Sequence, residues 1–476
     1  MRCHPGPFLL ALPLLAAAAP QEAQLPASWR PLAREIFAEL IAIDTTHEKG
    51  STAAAQVIAG RLRAAGFGGS ELTMAGPLPH KQNLVARLRG KGKAKPVLYV
   101  VHLDVVPAMR EDWSLDPFTF TEKDGWFYGR GTSDMKADVA AMATTLIRLK
   151  KESYAPDQDV VVAFTDDEER GSLETNGVKW LVEHRPELMQ AAFAINPDAG
   201  GGEIHRGRRT LLDLQTSEKV YLDFQLEATD RGGHSSVPHQ GSPIYRLAAA
   251  LGRVGAYEFP LHLSETTRGY FAAMASQETG ALAADLAALG RGPTDAAAAA
   301  RAARSNDVFA ALMHTTCVAT ELAGGHARNA LPQMARATVN CRILPDEPPE
   351  EVEATLRRLI DDPAISLRRL AEPRPSPPSR LMPAVVEPVT AVMKEMFPGV
   401  VLAPVLSTGA SDSLVLRRAG IPTYGISGMF SDIDDVRAHG RDERIGVVDY
   451  YDGVEFAYRF VKALTGGRPP RTSAGR

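Results

Sequence analysis

His102 and Asp104 stand two residues apart at the end of the apolar run PVLYVVHLDVV, and Asp166, Asp167, Glu168 and Glu169 directly follow the run DVVVAFT. Asp198 follows a third run, AAFAIN, and Asp134 opens an amphipathic stretch. Any one of these polar ends taken alone reads as a solvated turn. Together they offer one imidazole and several carboxylates without a thiolate, a donor set suited to zinc or another divalent first-row ion in a catalytic site. Side chains two apart on a strand point the same way, so one of His102 and Asp104 can ligate while the other hydrogen-bonds the ring.

For these ends to converge, the three runs must be neighbouring strands. From about residue 30 to 200 the chain alternates short β-branched runs with amphipathic stretches, which predicts βαβ units in an open sheet, where ligands gather at the carboxyl ends of the strands. Met135, Val139, Met142, Leu146 and Leu149 recur at four-three-four-three spacing. That spacing predicts a helix starting near Ser133, with Ser133 as its N-cap.

After Gly202 the pattern changes to longer alternating strands, KVYLDFQLEAT and the runs around Cys317 and Cys341, with an Ala-rich helical segment at 244–312 between them. The βαβ style resumes from 350, with VVLAPV and IPTYGIS as strands. The expected organisation is therefore α/β and two-lobed: an open mixed sheet flanked by helices, built from 28–205 and 346–466, with an α+β lobe at 206–345 inserted into it. Residues 467–476 are expected to be a frayed tail.

The 476-residue chain is longer than one hydrophobic core usually serves, and its net charge of −4 leaves no basic footprint for nucleic acid. Beyond the N-terminus no apolar run is long enough to span a bilayer. Residues 1–19 combine one basic residue, an apolar stretch and an A-x-A step, the pattern of a cleaved secretory signal, so the protein is expected to be secreted or periplasmic. Cys317 and Cys341 lie in runs that flank GGHARNALP and can pair as a hairpin. They are expected as either a disulfide or two buried thiols.

HLDVVP (102–107), GRGTSDMKA (129–137), FTDDEERGS (164–172), NPDAGG (196–201), GGHSS (232–236), NALP (329–332) and AHGRDERI (438–445) follow one another in a fixed order. They resemble the motifs of the zinc peptidases that include acetylornithine deacetylase, succinyl-diaminopimelate desuccinylase, glutamate carboxypeptidase and aminoacylase. The resemblance covers about residues 35 to 465. It implies a co-catalytic pair of divalent ions, zinc first, with cobalt or manganese as other occupants of the same ligands. His102 is implied as a ligand of one ion, Asp134 as the bridge, Asp198 and Glu169 on opposite sides, and His439 as the last ligand. Glu168 is implied as general base and Asp104 as the clamp on the imidazole, while Asp166 and Asp167 shape the turn. His234 is implied as an oxyanion donor reaching over the cleft, often from a partner subunit. Asn329 and Arg342 match positions that hold a substrate carboxylate, and Gly409 in STGASD matches a substrate loop. The inserted lobe is implied as a lid and dimerisation domain.

The reaction expected on this basis is hydrolysis of an amide beside a free carboxylate, in a small peptide or an N-acyl amino acid. Export favours a carboxypeptidase or dipeptidase over a deacylase. A serine hydrolase is the contrasting class, but GGHSSVP lacks a nucleophile elbow, because Val237 stands where the final glycine belongs. A binding protein that has lost catalysis is disfavoured because every proposed ligand and the base are present.

Overall fold

The two most apolar runs become the paired centre of a six-stranded sheet. In the computed structural model, which describes residues 23–170 and 174–466, the order is Leu72–Leu78, Lys81–Leu88, Val160–Thr165, Val97–His102, Phe193–Ile195 and Thr423–Tyr424. The last four strands run parallel, while Lys81–Leu88 runs against both its neighbours. Helices cover both faces, which is why the central strands are apolar at every position rather than at alternate ones. Val97, Tyr99 and Val101 pack with helices Arg30–Ile41, Thr52–Ala64, Lys136–Lys151 and Val447–Thr465; Leu98 and Val100 pack with Gly177–His184 and Ser413–Arg418.

The four-three spacing is realised in helix Lys136–Lys151, whose Val139, Met142, Leu146 and Leu149 are all buried. Ser133 is not its cap. The helix begins at Lys136, and the N–H and Oγ of Ser133 both donate to Glu443, a residue from the far end of the chain. The expected signal at 1–19 and the tail at 467–476 lie outside the described residues. No helix among those described is long and apolar enough to cross a membrane.

A second, four-stranded sheet has the order Val401–Ser407, Arg208–Glu218, Gly202–His205 and Phe430–Asp432, and a bridge between Gln215 and Gly425 ties it to the first. The inserted lobe is an antiparallel sheet of Thr316–Gly324, Met334–Ile343, Val220–Thr229 and Ile365–Arg369, with helices Pro243–Gly255 and Pro349–Ile360 on one face. The membership of this sheet does not follow the expected limits of 206 and 345. Arg208–Glu218 pairs within the body, and Ile365–Arg369 pairs within the lobe.

The Ala-rich segment also divides. Its first helix, Pro243–Gly255, covers the lobe sheet through Leu247, Ala250 and Val254. Four more, Glu265–Met274, Gly280–Leu289, Ala296–Ser305 and Asp307–Met313, instead pack Phe271, Leu286, Ala302 and Phe309 onto Leu211, Ala403 and Leu406 of the body's second sheet. Cys317 and Cys341 face each other across the antiparallel pair and are joined as a disulfide.

Candidate active site

Parallel pairing brings the three polar strand ends to one edge. His102 closes its strand, the acidic run follows the neighbouring strand, and Asp198 sits in the short turn Pro197–Ala199 after the third. His102 Nε2 lies 3.1 Å from Asp134 Oδ1 and 3.6 Å from Asp198 Oδ1. His439 Nε2 lies 3.1 Å from Asp134 Oδ2 and 2.9 Å from Glu169 Oε2. The result is two imidazole–carboxylate triads, His102–Asp134–Asp198 and Asp134–Glu169–His439, each compact enough to hold a metal ion. Asp134 belongs to both and presents one oxygen to each imidazole.

The electrostatics of these groups favour positive charge at two points. Burial works against the charged form of His102, but hydrogen bonds to Asp134 and Asp198 outweigh it and hold the ring well above the usual histidine range. Hydrogen bonds to Asp134 and Glu169 lift His439 to about 10. Burial alone would raise Asp134, yet the two imidazoles leave it below the ordinary carboxylate range. A donor set that draws protons onto both rings is one that cations can satisfy instead. A third compact acidic group, Asp104–Asp166–Asp167, is taken up by protein partners: Lys81 Nζ donates to both oxygens of Asp167 at 2.7 Å, and Ser51 donates to Asp166.

The adjacent glutamates part company. Glu169 turns to His439, whereas Glu168 lies in neither triad, and burial together with the charge of Asp198 raises its carboxyl well above the ordinary range. Asp104 keeps the pair in place. Its Oδ1 accepts from the Glu168 N–H at 3.2 Å and its Oδ2 from the Glu169 N–H at 3.0 Å. Asp104 also faces the His102 ring: its main-chain oxygen lies 3.1 Å from His102 Nδ1 and its carboxylate 3.6 Å away.

Sequence reasoning passed over the group that fixes Asp134. Glu443 is fully buried, and its Oε1 accepts from Ser133 N at 2.8 Å, Ser133 Oγ at 3.0 Å and Asp134 N at 3.1 Å. Its Oε2 accepts from Gly131 N at 2.9 Å and Arg130 Nη1 at 2.6 Å. Arg130 in turn donates to the main-chain oxygens of His439 and Gly440. One buried ion pair thus sets both the loop that carries Asp134 and the loop that carries His439. The only sequence signal was the position of Glu443 four residues after His439, where a charge reads as solvated.

A cavity of about 590 Å³ opens on this centre between the lobes, lined by Asp134, Glu168, Glu169, Asp198 and His439 from the body and Arg342 from the inserted lobe. The profile of peptidase family M20/M25/M40 matches residues 98–463. The chain belongs to this family. It is 28% identical over 377 residues to the human N-fatty-acyl-amino acid synthase/hydrolase PM20D1, covering 77% of this chain and 74% of that one. It is 26% identical over 378 residues to a probable carboxypeptidase S-like 2 of Dictyostelium discoideum, covering 77% and 71%. The fold is shared with an M20 family metallo-carboxypeptidase of Sulfolobus solfataricus at a TM-score of 0.68 and 18% identity, over 91% of this chain and 99% of that one.

M20 membership makes the chain an enzyme of the metallopeptidase and amidohydrolase type. Within this M20 cleft Gly409 also lines the cavity, but its N–H donates to Ser407 Oγ at 3.1 Å. Arg342 stacks over Tyr221 and donates to Thr408 O and Asn340 Oδ1, and it meets no carboxylate among the described residues. His234 and Asn329 are brought together elsewhere. His234 pairs with Ala330 in a two-stranded ribbon at the tip of the inserted lobe, the Ser235 N–H donates to Asn329 O, and both His234 and Asn329 are exposed and line no part of the cavity.

Proposed function

We propose that this M20 enzyme hydrolyses the amide that joins an acyl or aminoacyl group to an amino acid with a free carboxylate, acting as a carboxypeptidase or dipeptidase outside the cytoplasm. The observation that carries the reading is the pair of triads sharing Asp134, in one cavity with Glu168 and Arg342. His102, Asp134 and Asp198 would hold one divalent ion, and Asp134, Glu169 and His439 the other, zinc being the ion that best suits these ligands. When bound, the ions supply a Lewis acid that acidifies water and takes up negative charge on the carbonyl oxygen.

The chain's own residues do the rest. Glu168 takes the proton of the attacking water and delivers it to the leaving nitrogen. Asp104 holds the Glu168 peptide so that one glutamate faces the ligand set and the other the substrate. Arg342 pairs with the free carboxylate through its planar fork. His234 donates to the carbonyl oxygen. Because it stands on the lobe tip beside Asn329, it serves the cleft of a second copy, which makes the working form a homodimer docked through the inserted lobe.

N-acyl-amino-acid hydrolysis is the second reading, favoured by the name of the human relative. The test is a panel of dipeptides and N-acyl amino acids given to the purified, metal-loaded chain. Hydrolysis that a chelator abolishes and zinc or cobalt restores supports the mechanism, and the ranking of the panel separates peptidase from deacylase. Chelator-insensitive hydrolysis would overturn it.

A further inference from the structure

The helices that cover the body's second sheet close over a group of acids that no base answers. Glu203 and Leu211 face each other across the antiparallel pair of Gly202–His205 with Arg208–Glu218, and Asp213, two residues beyond Leu211, shares their face. Tyr270, on helix Glu265–Met274, packs with Leu211 in the same cluster. Burial, and then the charges of Glu203 and Asp213, hold its hydroxyl above the ordinary range. Tyr270 is only 8% exposed, yet among the described residues that hydroxyl makes no hydrogen bond. Asp213 Oδ1 is likewise buried without a partner, and the Glu203 carboxyl forms neither a hydrogen bond nor an ion pair among the described residues.

Glu203 and Leu211 also line a cavity of about 200 Å³ between the sheet and these helices. It shares no lining residue with the catalytic cavity. Its other charged or titratable walls are Glu278 and His205, neither of which makes an ion pair among the described residues, and no lysine or arginine lines it. Leu282 and Phe309 supply apolar wall. A carboxylate buried without a partner is costly in its charged form, and burial accordingly raises both Glu203 and Asp213 above the ordinary carboxylate range. A cation seated against them removes that cost. A metal ion does not suit the place, because the compact His, Asp and Glu groups among the described residues are the two triads and the Asp104 group, and none is here. An ammonium spans a wider set of acceptors, and its stem can use the apolar wall.

We propose that this cavity is a second ligand site, distinct from the catalytic cleft, for a small organic ammonium: a primary amine on a short apolar stem, received by Glu203 and Asp213, with the Tyr270 hydroxyl accepting a further N–H bond. The volume has room for about six heavy atoms.

The test is calorimetric titration of n-pentylamine, charged at neutral pH, into the full-length, zinc-loaded protein, with n-pentanol as the neutral match. One amine site per chain is expected, and the alcohol should bind it at least about tenfold more weakly. The double variant Glu203→Gln with Asp213→Asn should weaken amine binding about tenfold or more, while hydrolysis without amine stays within about twofold and the melting temperature does not fall, since an unpaired buried charge has been removed. Tyr270→Phe should weaken binding severalfold. Leu282→Trp, which fills the cavity and leaves the acids in place, should abolish it, and it decides the matter should the double variant fail to fold. Absence of binding, equal binding of amine and alcohol, amine affinity unchanged in both the double variant and Leu282→Trp, or displacement of the amine by stoichiometric calcium would each overturn the proposal. None of these outcomes bears on the hydrolytic reading, which concerns the other cavity.

Discussion

Replacing Glu443 by glutamine changes almost no volume and removes no side chain of either triad, yet it should damage the site. The carboxylate accepts five hydrogen bonds, three on Oε1 and two on Oε2. A glutamine offers one oxygen and one NH2, so in either orientation its NH2 group faces main-chain donors or Arg130, and at least two bonds are lost. Hydrogen bonds to charged groups contribute about 1.5–3 kcal/mol each. Arg130, only 2% exposed, would also be left as a buried cation without its counter-charge, and breaking such a pair costs about 3–5 kcal/mol. The two estimates overlap, so the metal-free protein should lose about 3–5 kcal/mol in urea unfolding with an unchanged denaturant slope. In chelator-buffered titrations the zinc affinity of the variant should fall by about tenfold or more, because Asp134 and His439 are no longer fixed. The double variant Arg130→Met with Glu443→Gln should lose less than the sum of the single variants, since no cation is then stranded. A stability loss below about 1 kcal/mol, the range of an exposed pair, together with unchanged zinc affinity would refute the reasoning.

Glu168→Gln should leave two metals per chain by elemental analysis while turnover falls by about a hundredfold to ten-thousandfold. Glu169→Gln should instead lower metal content, and the opposite outcome would exchange the two roles. Reducing the Cys317–Cys341 bond, which closes a loop with a sequence separation of 24, should destabilise the inserted lobe by about 3 kcal/mol, read as a melting shift with and without reductant. Burial lowers Lys219 to about 8, below its ordinary value, so between about pH 8 and 10 the unfolded chain binds the extra proton. Wild-type stability should therefore gain from this residue as pH rises through that window, and Lys219→Met should remove the gain in unfolding curves across the range.

Much of the catalytic body was legible because its central strands are apolar on both faces and end in unusual polar residues; His102, Asp134, Glu169, Asp198 and His439 indeed meet at one edge. Pairing partners were not legible. Arg208–Glu218 alternates like a strand of the inserted lobe, and its neighbours Val401–Ser407 and Gly202–His205 assign it to the body. The four later helices of the Ala-rich segment have an apolar face in any reading, but nothing local says which sheet receives it. Ser133 resembled a helix cap because its true partner, Glu443, is 310 residues away. His47, with no recognisable motif, sits 2.8 Å from Asp167 and helps hold the acidic turn. Such contacts depend on tertiary closure, which a local pattern does not record.

The centre is assembled from distant parts of the chain. Glu169 and His439, which share one triad, are 270 residues apart, and the whole inserted lobe lies between them in sequence. During synthesis, His102, Asp134 and Asp198 emerge long before His439 and its neighbour Glu443, so a growing chain has one triad without the ion pair that sets its loop, and two of the three members of the other. Long-range closure of this kind comes late in folding. The two triads are therefore not both complete until His439 has been made, and the loop that carries Asp134 is not fixed until Glu443 follows it.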